Sequence, residues 1–577
     1  MIEDGLQRQW LKSYDREVSP RLTYENIPIH EFLKRSAEKF PKRKAIIFNN
    51  WSMTYAGLLR ASERVAANLR EHGVRAGDRV AIMLPNTPQA IIAYYGVIQA
   101  GCVAVMTNPL YMEKELVHHF SDSGAKVLIT LDLLWPKLKT LEKKLKLSKI
   151  FVTRISDCLR FPLNLLYNFK AKKDNAPTIP YDMQTVFPWK FLLKTKAKFN
   201  PRSFRPEKDL ALLQYTGGTT GVSKGVMITH QNLAANIQQY LAILHKLGKS
   251  HEVLLGILPY FHIFGLNVCV NFAVALGATM VPFPRFVPRD ILKAIKKIHP
   301  TIFPSAPSVF MALLQQKDVD KFNLSSIRFC LSGSAPIPAE VIRQFKELAG
   351  AEIIEGYGLT EASPVTHLNP LIGTHKIGSI GLPISDTDAC IVDMEVGSVT
   401  LQPGQIGELI IRGPQVMKGY WNRPDETAST LRNNWLYTGD IAYMDEDGYF
   451  FIVDRKKDLI ISGGYNIYPR EIDEVLHEHP KIQEAVAVGV PHHTRGEIIK
   501  AYVVVQPGEN LTRSEVISFC RKKLANYKIP KKIEFRDELP KTLVGKVLRR
   551  ALREEEIAKL KKAKTTRADQ NKAAEKQ

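Results

Sequence analysis

The sequence predicts an α/β protein built on doubly wound parallel sheets, with at least one further domain. Three observations support this. Short apolar runs alternate with helical ones through the first half. A glycine- and threonine-rich loop, YTGGTTGVSKGVMITH (Tyr215 to His230), follows one of those runs. The chain of 577 residues, 45% hydrophobic, is too long for a single core.

Arg79 to Leu84 and Lys126 to Thr130 read as strands. Between them AIIAYYGVIQA reads as a core helix, opened by Thr87-Pro88 and closed by Gly101. Leu210 to Leu213 reads as a buried strand and Gln231 to Leu244 as a helix, joined by the glycine-rich loop. There Gly217, Gly218 and Gly221 let backbone N–H groups converge. Thr216, Thr219, Thr220 and Ser223 add hydroxyls, and Lys224 adds charge, which together suit a phosphate. The order Ser223-Lys224-Gly225 differs from the P-loop, where Gly-Lys precedes Ser or Thr. A plain surface loop is the bland alternative.

Pro259 to Gly265 is an aromatic turn holding His262, which composition alone would assign to packing. The apolar run Gly265 to Phe283 is about as long as a membrane span. Asn267, Asn271 and Gly277 favour a buried helix followed by a strand, and no transmembrane helix is expected. Strand-like runs at Thr301 to Phe303, Ile327 to Leu331 and Glu352 to Ile354 end in small residues. Ligands gather at the carboxyl ends of parallel strands. Tyr215 to Lys224, Ser332 to Pro336 and Glu355 to Glu361 are therefore expected around one cleft. Alone, Thr360 and Glu361 would equally serve as a helix cap with a first-turn acid.

From about Ser379 the texture becomes β-rich, as at Glu408 to Arg412, which predicts a smaller subdomain. Asp440 follows a Thr-Gly turn, and Arg455 stands in DRKKD (454 to 458); a structural salt bridge is the ordinary meaning of such isolated charges. Beyond Arg550 a charged helix is expected to fray into a basic tail.

The net charge is +22. Residues 137 to 208 carry 18 basic and 5 acidic side chains, so this segment supplies +13 of it. No zinc spacing or RNA-binding motif accompanies it, so nucleic acid is not an expected partner. CLRFPLNLLYNFK (158 to 170) and FPWKFLLK (187 to 194) mix apolar and basic residues as an anionic membrane surface would require, although an ordinary basic surface explains them equally. Six cysteines without a CxxC pair predict reduced thiols. The N-terminus has no apolar core of signal-peptide type, so a cytoplasmic location, with peripheral contact at the inner membrane face, is expected.

Six segments, in order and across roughly Thr54 to Arg553, resemble the adenylate-forming superfamily of acyl-CoA synthetases, luciferases and peptide-synthetase adenylation domains. The run WLYTGDIAYMDEDGYFFIVDRKK is most similar to its fatty acyl-CoA synthetases. Asn434 and Tyr437 depart from that pattern, where Gly and His are usual, which leaves chain length open.

The resemblance implies a large N-terminal domain (1–454) with a distorted β-barrel subdomain at about 379–454. A hinge at 455–458 with Lys457 at its pivot follows, then a small mobile α+β domain at 459–553 and a tail at 554–577. It implies that residues 216 to 224 bind ATP phosphates and that Thr360 holds the α-phosphate, with Glu361 on Mg²⁺. Gly333, Ser334, Ala335, Pro336 and Gly356 would form the adenine slot, Tyr357 would stack on the base, and Gly358 would also bind the nucleotide. Asp440 and Arg455 would take the ribose, and His262 would lie beside the acid being activated. Lys546, in PKTLVGK, would be the catalytic lysine, and Ser462, Gly463 and Gly464 would meet CoA. The implied reaction is ATP-dependent activation of a long-chain fatty acid through an acyl-adenylate to acyl-CoA, releasing AMP and pyrophosphate. A ligase for a medium-chain or aromatic acid is the nearest alternative, and an inactive membrane-attached lipid binder is the other. A homodimer is left open.

Overall fold

The computed structural model describes residues 8–194, 198–216, 223–462, 465–492, 495–541 and 547–560. Of the sequence-derived site residues, Gly217, Gly218, Thr219, Thr220, Gly221, Gly463, Gly464 and Lys546 lie outside them.

Two large sheets form the N-terminal part. One has eight strands, in the spatial order Gly419–Tyr420, Lys224–Thr229, Leu210–Thr216, Val103–Met106, Arg79–Met83, Val127–Leu131, Lys149–Thr153 and Val186–Pro188. The six from Leu210–Thr216 onward run parallel. The other has nine strands. Its parallel centre includes Val253–Gly256, Ile302–Ser305, Phe329–Ser332 and Ile353–Gly358, and antiparallel strands close both edges.

Both sheets contribute to one hydrophobic core. Pro88–Gln99 is buried along its whole length, so a helix without a polar face is what the position demands. Thr87 accepts a hydrogen bond from the Ala90 N–H, and Pro88 stands where a helix needs no donor. Gly265–Phe272 is wound as a π-helix. Asn267 donates to the Ser363 carbonyl at 2.6 Å and Asn271 to the Tyr94 hydroxyl at 3.1 Å, which satisfies these polar groups inside the core. Among the described residues no helix is long and apolar enough to cross a membrane.

The structure corrects two sequence expectations here. The glycine-rich loop does not lead directly into a helix. Its second half forms the strand Lys224–Thr229, antiparallel to Leu210–Thr216, and only then does His230–Ile243 begin, capped by Thr229. The strands before and after the loop are thus the two arms of a hairpin. The basic run at 187 to 194 is not a surface for lipid, because Trp189 and Leu192 share one helical face and are buried against the sheet.

The β-rich part is a five-stranded antiparallel sheet. Trp435–Met444 pairs with Gly407–Arg412, Leu431–Arg432 and Phe450–Arg455. The chain changes sheet between Arg455 and Ile460. Ile460–Ser462, Tyr465–Ile467, Ile482–His492, Gly496–Val505 and Lys532–Phe535 make the final sheet, packed by Pro469–His477 and Arg513–Arg521. This body runs past the expected limit at 553. Residues 549–560 are helical, and Lys500 Nζ lies 2.8 Å from Glu556, both buried. All six cysteines are buried free thiols.

Candidate active site

The parallel strands of both sheets end at one cleft of about 880 Å³. Its lining includes Thr216, Lys224, His262, Gly333, Ser334, Gly356, Tyr357, Gly358, Thr360, Glu361, Arg455 and Lys457. Ala335, Pro336 and Ser462 stay outside that lining. Ser462 instead pairs with Tyr465 and Gly496 in the final sheet.

The Thr360–Glu361 turn is built from below. At Gly358 a Cβ would come within 2.2 Å of the Pro364 carbonyl oxygen, so only glycine lets the two backbones pass. Thr360–Ala362 then makes a single 3-10 turn. Asn267 holds the Ser363 carbonyl, and Asn236 holds the Val365 carbonyl at 2.9 Å. The Met417 N–H donates to the Glu361 carbonyl at 2.8 Å. The carboxylate is thereby carried on a backbone fixed from three elements. The Tyr420 hydroxyl donates to Glu361 Oε1 at 2.8 Å. The same ring lies 5.1 Å beneath Lys224 Nζ. Lys224 also forms an ion pair with Glu426.

Asp440 and Arg455 face each other across adjacent strands, with Arg455 Nε 2.8 Å from Oδ1 of Asp440. The Tyr357 hydroxyl donates to Oδ2 at 2.5 Å. Gly439, at φ +69, makes the left-handed turn that precedes Asp440, and its carbonyl accepts from the Lys456 N–H. Asp440 does not itself line the cleft. It is buried behind Tyr357 and Arg455, which do. The two residues expected at a ribose thus form the salt bridge that such isolated charges ordinarily make. Each carboxylate oxygen retains a second lone-pair direction for a further donor.

Around His262, the Asn86 amide donates to the Gly256 and Leu258 carbonyls and accepts from the Tyr260 N–H, while Gln214 donates to the Phe261 carbonyl at 2.8 Å. The aromatic turn is thus tied to the strand that carries Thr216. Burial pulls the His262 imidazole down from its ordinary value of 6.5 to about 4, so it is neutral at physiological pH. The Phe264 N–H points to its Nδ1 at 3.3 Å.

At the sheet change, burial and then the neighbouring Arg455 charge lower Lys457 to about 8. Lys456 pairs with Glu408 at 2.7 Å. Arg470 of the small domain donates to the Ile452 carbonyl, and its N–H reaches Asp454. Lys541 and Leu548, also from the small domain, line the same cleft.

Sequence reasoning missed Tyr420, Gln214, Glu408 and Lys456. Tyr420 had a readable sign, an aromatic pair after glycine in Lys418-Gly419-Tyr420-Trp421. Gln214 and Glu408 carried none, because only strand register turns them inward, and Lys456 stood unremarked in the turn of the expected hinge.

A cleft closed by a small second domain, with hydroxyls, a carboxylate and lysines converging from separate strands, is that of an adenylate-forming enzyme. The chain belongs to the AMP-binding enzyme family: the model of the AMP-binding enzyme domain matches residues 33–421 and that of the AMP-binding enzyme C-terminal domain matches 471–546. A long-chain-fatty-acid–CoA ligase of Bacillus subtilis is 47% identical over 556 residues, covering 95% of this chain and 98% of that protein. One of Escherichia coli O157:H7 is 38% identical, covering 96% and 99%. The solved anthranilate CoA ligase AuaEII, in complex with anthranoyl-AMP, superposes with a TM-score of 0.81 at 27% identity, covering 94% of this chain and 99% of that one.

Proposed function

We propose that this protein is an ATP-dependent long-chain fatty acid–CoA ligase. The observation that carries the reading is the 47% identity, over nearly the whole chain, to a B. subtilis protein of that name. In the first step a fatty-acid carboxylate oxygen attacks the α-phosphorus of ATP, and the bond to the departing pyrophosphate breaks. In the second, the CoA thiol loses its proton, its sulfur bonds to the acyl carbon, and AMP leaves.

Charge at the α-phosphate is the main obstacle in the first step, and fixed positive or hydrogen-bonding groups lower it most. Thr216, Lys224 and the 217–221 loop serve the phosphates, Thr360 the α-phosphate, and Lys546 the developing charge. Lys224 exchanges Glu426 for phosphate oxygens. Gly333, Ser334, Gly356 and Tyr357 bound the adenine, while Arg455 and the Asp440 behind it hold the ribose. Neutral His262, with Phe261 and Phe264, lies at the acyl carboxylate and transfers no proton. Mg²⁺ fits Glu361, because Tyr420 occupies only Oε1 and leaves Oε2 for a hard cation that prefers oxygen. When bound, it would neutralise phosphate charge. The small domain turns about Lys457 between the two steps, bringing Ser462, Gly463 and Gly464 to CoA.

Hydroxamate trapping of the acyl-adenylate across a panel of acids tests the substrate class. Long-chain saturated acids should outperform octanoate, benzoate and anthranilate; preference for an aromatic acid would overturn the reading. The rings of Phe261 and Phe264 in the cleft wall favour that second reading.

A further inference from the structure

The helix Leu163–Lys173 presents the wrong face to solvent for a soluble protein. None of its residues is buried. At 3.6 residues per turn, Leu165, Leu166 and Phe169 fall on one side together with Lys172 and Lys173, while Tyr167 falls on the other. Tyr167 is half-buried, as are Asn164 and Ala171 on the same side, and it lies close enough to Asp132 and Arg285 for both charges to act on its hydroxyl. Leu165 is 57% exposed, Leu166 61%, Phe169 75% and Phe161, just before the helix, 74%. Phenylalanine side chains bring about 150–250 Å² each, so the two rings alone show water on the order of 300 Å². With the exposed Leu165 and Leu166 added, the patch reaches the size of the largest apolar patch that a typical monomer shows, which is often a functional surface.

Arg160, Lys170, Lys172 and Lys173 surround the patch, all exposed, and none forms an ion pair among the described residues. The neighbouring basic helix Trp189–Leu193 has a similar composition but turns Trp189 and Leu192 into the core. The inverted helix is therefore a property of this one element and not of the basic segment as a whole.

We infer that Leu163–Lys173 with Phe161 is a docking surface for an anionic lipid bilayer. Apolar side chains enter the headgroup boundary, and the surrounding cations meet lipid phosphates. A second copy of this chain is a poorer occupant, because a self-complementary contact here would face the same unpaired cations against each other. The helix follows Lys149–Thr153, at the carboxyl end of a strand parallel to Leu210–Thr216 in the same sheet. Four strand spacings, roughly 19 Å, separate those strands. The docking helix and the cleft therefore share one rim of the sheet. If the substrate is the long-chain acid proposed above, it is taken up where it is dissolved, at the membrane.

The test is flotation of the full-length protein with vesicles of phosphatidylcholine alone and of phosphatidylcholine mixed with phosphatidylglycerol. Two variants are compared: Phe161→Ser, Leu165→Ser, Leu166→Ser and Phe169→Ser combined, and Lys170→Gln, Lys172→Gln and Lys173→Gln combined. The wild type should float with anionic vesicles, less so as salt is raised. Both variants should partition about tenfold less or weaker still, while keeping the wild-type melting temperature. Wild-type failure to float, or variants that float equally, would overturn the inference. So would a wild-type dimer in solution that the apolar variant dissolves without any change in flotation. The readout needs no substrate, so it stands or falls separately from the assignment of the acid.

Discussion

Removing one oxygen atom, in Tyr420→Phe, isolates what the tyrosine does for Glu361. The hydroxyl donates at 2.8 Å to a carboxylate, a charge-assisted bond. Such bonds contribute about 1.5–3 kcal/mol net. Burial and the nearby Glu361 push the phenol well above its ordinary value, so it remains a donor throughout the working range of pH. The phenyl ring keeps its packing and stays beneath Lys224 at the same position, so the lysine is not disturbed. The lost bond leaves Glu361 to find its rotamer unaided. If about 2 kcal/mol of its positioning is expressed in the transition state, adenylate formation falls about 30-fold. Fatty-acid-dependent exchange of labelled pyrophosphate into ATP, measured across a Mg²⁺ titration, reads this directly. Thioester formation from synthetic acyl-AMP should be unchanged. Exchange within about twofold of wild type at limiting Mg²⁺, or equal loss of both steps, would refute the reasoning.

Lys546→Ala should lose acyl-adenylate formation by about a thousandfold, equivalent to about 4 kcal/mol, yet still convert pre-made acyl-AMP to thioester; stopped-flow assays of each step distinguish the two. Asp440→Asn takes the counter-charge from Arg455 and leaves one acceptor oxygen where Arg455 and Tyr357 had two; with Arg455 about a third exposed at the cleft, the cost should be about 1–3 kcal/mol, so calorimetry should show a lowered Tm, and KM for ATP should rise. His262 is held neutral, with its value drawn down from 6.5 to about 4, so between those pH values the unfolded chain binds the extra proton. Stability should therefore fall as pH drops from 6.5 to 4, by up to about 3 kcal/mol for this group, and His262→Gln should flatten that part of a denaturation profile; an unchanged slope would count against it.

Much of this architecture could be read directly from the residues. The helix at Pro88–Gln99 carries its own start signal in Thr87-Pro88, and its uniform apolarity matches burial on every side. The loops after Phe329–Ser332 and Ile353–Gly358 meet because parallel strands of one sheet end on the same side, whereas Thr216 reaches them only because the second sheet packs against the first. What could not be read depends on packing between distant segments. Lys224–Thr229 looked like the approach to a helix, because Val226, Met227 and Ile228 run directly into the capping Thr229; only pairing with Leu210–Thr216 makes them a strand. The two apolar-basic runs at 158–170 and 187–194 are alike in composition, and only the sheet beneath decides that one turns inward and the other outward. Asp440 was recognisable as a site residue, but not its place behind Tyr357, which depends on strands 83 residues apart coming together. The ordered end was read too early because Glu555 and Glu556 look like solvated charge until Arg536 and Lys500 are placed beside them.

The central claim is that one cleft first couples a fatty acid to AMP and then transfers it to CoA. Mixing the purified protein with ATP, Mg²⁺, hexadecanoate and CoA, and counting products by mass, tests it most directly. Pyrophosphate, AMP and acyl-CoA should appear in equal amounts, with acyl-AMP accumulating when CoA is withheld and none of these forming in Glu361→Gln. Release of ADP and phosphate in place of AMP and pyrophosphate, or thioester formation without an adenylate, would contradict the account.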